Sequence, residues 1–173
     1  MVNNPLTWAM IKDSAPLYVL LHYLDYGIGL YLGISLGFKV GWKLGIPLGV
    51  VGPIVWHLPV PFTLAASQWQ FDLLAFFTLV VSGTFMGLWV KGVGRKLKFS
   101  LLGMWMTGDT ILSTLFMTGG TFYSNIYLNS PYGPGQLEEA GIVMFLFMNI
   151  VIVILIIKLL NDMFNAELRG EEN

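Results

Sequence analysis

The sequence predicts an all-α integral membrane protein, a four-transmembrane-helix bundle with a proline-rich interfacial or re-entrant loop between helices 1 and 2. Three observations predict it. Of the 173 residues, 55% are hydrophobic and 11% charged, where soluble domains carry about 25% charged residues. Several apolar runs reach about 20 residues, the length at which a helix crosses a bilayer. Glycine recurs at positions 29, 33, 37, 41, 45 and 49. In a helix, that four-residue period lays a groove in which a second backbone can approach closely.

The mean hydropathy of +0.71 leaves room for a single membrane domain, residues 1–173, and no separate soluble one. A net charge of −1 supplies no basic footprint for nucleic acid. The absence of cysteine excludes disulfides, cysteine-held iron–sulfur clusters and thiol redox chemistry within this chain. The polar first 15 residues, followed by a long glycine-rich apolar run, do not read as a cleavable signal peptide.

Residues 1–15 form an interfacial start, with Trp8 at headgroup depth. Ser14 followed by Ala15-Pro16 is a helix-start signal. The first span is expected over about 16–38, with the glycine ladder continuing past it. Residues 46–70 are apolar but hold Pro47, Pro53, Pro59 and Pro61. Each interior proline removes a backbone hydrogen bond, so this stretch is expected to be broken, with Trp56 and Trp69 at the interface. Further spans are expected over about 71–90, 99–117 and 140–160, followed by a polar, acidic tail over 161–173.

Lys91, Arg95, Lys96 and Lys98 mark a cytoplasmic turn. The stretch from Thr118 to Glu139 has no basic residue and is expected outside. With four spans, both termini are cytoplasmic in a multi-pass cell-membrane protein, and Lys39, Lys43 and His57 lie outside. A five-span alternative lets residues 46–65 cross and puts Lys39 and Lys43 inside.

Two stretches carry a family resemblance. LGISLGFKVGWKL (Leu32 to Leu44) is similar to the first-span signature of the DoxX/DoxD-like membrane proteins: Leu32-Gly33, an apolar run, then Gly41-Trp42-Lys43-Leu44. SGTFMGLWVKGVGRKLKFSLLGMW (Ser82 to Trp105) resembles that family's turn between its second and third spans. Lysine at position 91 stands where arginine is common. The tail lacks the short Gly-and-Asp motif of many members. The resemblance implies the DoxD-like membrane subunit of a thiosulfate:quinone oxidoreductase, an enzyme that couples two thiosulfates to tetrathionate. It also implies quinone as a substrate and a small second subunit as partner.

On the residues alone, several groups are candidates. Asp109, near the middle of a span, is a proton relay or part of a quinone pocket, against a hydrogen-bonded structural carboxyl. His57, with Trp56 beside it, is a donor to a quinone carbonyl, and Trp42 adds an aromatic wall. Lys39 and Lys43, four apart, would hold a small oxyanion, against simple snorkelling to lipid headgroups. His22 and Asp25 form a possible pair, solvated near the cytoplasmic end. No haem is expected, because its two available ligands, His22 and His57, fall toward opposite sides, and no metal site is expected either. Partners are expected to be lipid and other subunits of an oligomeric assembly. The alternative function is an accessory, non-catalytic transmembrane subunit of a larger respiratory complex.

Overall fold

A computed structural model describes residues 13–126 and 131–170. The expectations for residues 1–12, Trp8 among them, and for residues 127–130 and 171–173 lie outside the described residues. Among those described, every regular element is a helix: α1 (Ala15–Ser35), α2 (Trp42–Trp56), α3 (Pro59–Ser67), α4 (Trp69–Val90), α5 (Arg95–Ile126) and α6 (Pro134–Gly170).

α1 begins as its sequence dictates. The Ser14 hydroxyl accepts from the Leu17 N–H at 3.4 Å, and Pro16 occupies the first turn. The helix stops at Ser35, short of position 38. There Leu36 turns extended, and its carbonyl is taken by the Lys91 Nζ at 2.6 Å. Residues 38–41 are not helical, so Lys39 stands in a link while Lys43 sits in the first turn of α2. The two lysines do not share a helical face, which corrects that expectation.

The proline-rich stretch is two helices bent by 68°. Proline at 59 forces Leu58 into extended backbone (ψ 145), as residues before proline must be. Inside α2, Pro53 has no N–H to offer the Gly49 carbonyl four residues back. The Tyr26 hydroxyl of α1 takes that carbonyl instead, at 3.0 Å. Nearby, the Gly52 N–H donates to Ser82 Oγ of α4 at 3.2 Å. Neighbouring helices thus satisfy a broken backbone, as they must at membrane depth.

α4 is the central strut, and both halves of the glycine ladder pack on it. In α1, Gly29 and Gly33 lie directly against the α4 backbone, where a methyl group on either would strike the carbonyls of Val80 and Thr84. Gly83 and Gly87 of α4 answer them, each against the α1 backbone. In α2, Gly45 meets Trp89, Gly49 meets Met86 and Gly52 meets Ser82. Gly37 and Gly41, in the link, have nothing near them. The ladder is therefore two separate packing faces on one partner rather than one continuous rail.

These contacts fix directions. α1 runs parallel to α4, whereas α2 runs antiparallel to it. α5 and α6 are antiparallel, with Gly141 against Ser113 and Met148 beside Thr110. α6 runs parallel to α1, since Gln136 bonds the Asp13 carbonyl and Phe147 stacks on Tyr23. One end of the bundle gathers Lys39 and Lys91, with Lys39 against Gly92; we call it the lysine end. The opposite, tyrosine end buries Tyr18, Phe62, Phe116 and Tyr132. The expectation that Lys39 and Lys43 lie across the membrane from Lys91–Lys98 is thereby corrected. Asp13 and the last turns of α6 stand at opposite ends of the bundle, while the termini themselves, expected on one side, lie outside the described residues.

Among the described residues, three helices are long and apolar enough to cross a membrane: Ala15–Ser35, Trp69–Val90 and Pro134–Lys158. The bent pair α2–α3 makes a fourth if it is one span. The span expected at 99–117 lies in α5, whose 32 residues are ample in length. Thr107, Asp109, Thr110, Ser113 and Thr114 make it more polar than those three. α6 carries its helix well past position 160, to Gly170, through most of the polar, acidic tail.

Candidate functional site

α1 presents two working faces. Tyr18, His22, Asp25, Gly29 and Gly33 recur at steps of four, three, four and four and are all buried, as one stripe of a helix should be. Tyr23 stands on a different face, with Leu20, Leu24, Gly27 and Ile28.

On that second face the Tyr23 hydroxyl donates to Asp109 Oδ1 of α5 at 2.5 Å. Asp109 is 8% exposed, and its Oδ2 is buried without a hydrogen-bond partner. The Tyr23 ring is held by Phe147, stacked at 4.7 Å, and by Trp105, edge-on at 6.5 Å. Outside it runs an apolar groove of about 580 Å³ along α1 from Leu20 to Leu32, with Phe147 on its other wall. Gly27 leaves the groove floor open, with nothing within 4 Å of where a Cβ would stand. The groove starts at the level of Asp109 and runs toward the lysine end, spanning about 18 Å at 1.5 Å per residue.

On the first face, at the tyrosine end, His22 stacks tilted on Tyr18 at 4.5 Å and meets His57 edge-on at 5.7 Å. His22 and His57 are therefore neighbours, and the expectation of opposite sides, which was the ground for setting haem aside, is corrected. His22 and Asp25 are 4% and 6% exposed, not solvated. Proline causes the rearrangement: the break at Leu58 turns His57 back onto α1 as α3 departs. His57 Nδ1 lies 2.6 Å from the Pro53 carbonyl. Asp72, in the first turn of α4, interacts electrostatically with Asp25 and with Tyr18. In the α5–α6 link, burial pushes the Tyr132 hydroxyl's pKa up, and the charges of Asp72 and Asp13 push it further.

The expected site residues are thus dispersed. Trp56 is buried and spends its indole N–H on Thr78 Oγ1 at 2.6 Å. Trp42 is 63% exposed at the other end of α2, about 21 Å away along the helix. These two tryptophans cannot wall one quinone with His57. Lys39 and Lys43 are exposed at the lysine end, away from His57 but toward the end where the groove runs out. Tyr23, Tyr18 and Asp72 were missed. Only Asp72 left a signal, a carboxylate at the start of an apolar run. Among the described residues, no three His, Cys, Asp or Glu side chains stand together as metal ligands.

A family of proteins of unknown function, DUF1404, matches residues 1–162. This chain belongs to the DUF1404 family. The match takes in all of α1 to α5 and most of α6, so both the Tyr23–Asp109 groove and the histidine pair lie within the DUF1404 region. No curated protein matches this DUF1404 chain, and no solved structure does either.

Proposed function

We propose that this protein is the membrane subunit of a quinone-reducing oxidoreductase, with the quinone in the groove beside Tyr23 and Asp109. The observation that carries the reading is the Tyr23–Asp109 hydrogen bond: a carboxyl sunk in mid-bundle, reached from an apolar groove through a phenol. An isoprenoid tail suits the apolar walls, and the quinone ring suits the Tyr23 and Phe147 faces. Reduction consumes two electrons and two protons. For this the Tyr23 hydroxyl turns from Asp109 to a quinone oxygen and gives up its proton as a protonated Asp109 replaces it; the second proton comes from water at the lysine end, where the groove runs out.

The electrons come from the donor that the DoxX/DoxD-like resemblance implies. Two thiosulfates lose one electron each and join through a new sulfur–sulfur bond. An oxyanion would be met at the lysine end by Lys39 and Lys91, near the groove's outer end, with Lys43 behind them. In this reading the lysine end is cytoplasmic, by the positive-inside rule. The bent pair and α5 both cross, as in the five-span alternative.

The test is quinone binding to the purified protein, followed by photoaffinity labelling with a short-chain azidoquinone. Labels are expected in α1 and α6, and Gly27→Trp, which fills the groove, is expected to remove them. Absence of binding, or labels confined to α2 and α3, would overturn the reading. The accessory-subunit reading draws on the lack of cysteine, which leaves this chain without a cysteine-held redox centre, so that electron transfer needs quinone itself or a partner's carrier. Copurification with haem- or copper-bearing chains and without quinone would favour it.

A further inference from the structure

The quinone reading leaves the tyrosine end unused, although it buries a second group of titratable side chains. Neither ring nitrogen of His22 has a hydrogen-bond partner, and the Tyr18 and Thr63 hydroxyls are likewise buried without one. Leaving buried donors and acceptors unmet is costly, and a phenylalanine would fill the same space at no such cost. Titratable groups gather around His22 and its neighbours. α1 brings Tyr18 and Asp25, the α2–α3 break brings His57 and α4 brings Asp72. The link before α6 brings Tyr132, its ring 5.9 Å from Tyr18, and Asp13 acts on Tyr132 from the chain's described start.

We propose that Tyr18, His22 and His57, with Asp25 and Asp72 beside them, form a proton-transfer site joining the Tyr132 end of the bundle to its interior. An imidazole suits the task because it accepts a proton on one nitrogen and releases one from the other. A proton entering past Asp13 and Tyr132 reaches His22 through the Tyr18 hydroxyl, whose own proton moves on as the new one arrives. Neither His22 nitrogen is hydrogen-bonded at rest, so a turn of the ring or a bridging water carries the proton on to Asp25, one turn along α1, which interacts with Asp72. His57, edge-on to His22, is the second base. Neither the groove nor a quinone is required, so the site stands or falls independently of the reading above.

The chain contains two histidines, so nitrogen-15 histidine spectra of the full-length protein in detergent show two imidazoles, assigned with His57→Gln. The His22 ring N–H is expected to exchange with solvent at least about tenfold faster than the backbone amides of its own turn, which report helix opening. In the Asp25→Asn, Asp72→Asn double variant, that exchange is expected to slow by about tenfold, the direction a lost acceptor dictates. Exchange in the wild type as slow as those amides would overturn the proposal. So would exchange that the folded double variant leaves unchanged. Should the double variant fail to fold, the wild-type comparison alone decides.

Discussion

A methyl group placed on Gly83 of α4 would stand 3.1 Å from the α-carbon of Gly29 in α1. The two helices are in backbone contact there, and Gly33 and Gly87 repeat the arrangement one turn on, with 3.0 Å between the added Cβ of either and the other's α-carbon. In lipid, apolar burial does little to hold helices together, so close approach of backbones must supply the attraction.

Gly29→Ala and Gly83→Ala are therefore each expected to destabilise the bundle by about 1–3 kcal/mol, the usual cost of overpacking. Gly37→Ala and Gly41→Ala, with open space around them, are expected to leave stability unchanged or to raise it slightly. Unfolding by mixed-micelle denaturant titration checks the contrast.

Tyr23 and Asp109 are expected to be energetically coupled. Tyr23→Phe leaves a buried carboxyl without its donor, and a double-mutant cycle with Asp109→Ala, which removes the acceptor, should return a coupling between about 0.6 kcal/mol, the average between membrane helices, and about 1.7, the largest. A coupling near zero would mean the hydrogen bond is not maintained in the membrane.

The Gly49 carbonyl offers a sharper test, because Pro53 is the reason it is free. Tyr26→Phe is expected to cost about 1 kcal/mol in the native background. It should cost less in Pro53→Ala, where a restored N–H competes for the same carbonyl. Equal losses in the two backgrounds would show that Tyr26 contributes through packing alone.

Lys39 and Gly92 should crosslink. The chain has no native cysteine, so a Lys39→Cys, Gly92→Cys pair is expected to close a disulfide under mild oxidation, whereas Lys39→Cys with His57→Cys is not. The two cysteines of the first pair should also label from the same face of sealed vesicles. Labelling from opposite faces would restore the four-span topology.

Much of the helical layout was legible because its signals are local. The Ser14–Pro16 start, the basic turn after Val90 and the proline disruption of residues 46–70 each depend on a few adjacent residues. The ladder misled because a four-residue spacing says nothing about whether the helix carrying it continues. Ser35 and Gly37 are weak helix formers, and the chain breaks between them. Lys39 and Lys43 lost their shared face to the same break. Of the expected site residues, Asp109 kept its place as a buried carboxyl, but its partner Tyr23 lies 86 positions away, and nothing in the sequence links the two. The His22–His57 contact was equally invisible, since it exists only because α2 doubles back along α4.

The break between α2 and α3 also sets the polarity of a hydrogen bond. A carbonyl oxygen can only accept, so the 2.6 Å approach of His57 Nδ1 to the Pro53 carbonyl places the proton of the neutral ring on Nδ1. The other nitrogen is then a base rather than a donor. His57 in this state cannot hold a quinone carbonyl, the role its sequence position invited, but it can receive a proton. A kink that proline imposes on the backbone thus chooses which direction of proton traffic the imidazole supports. Straightening the chain there would remove that constraint on the ring without altering a single titratable residue.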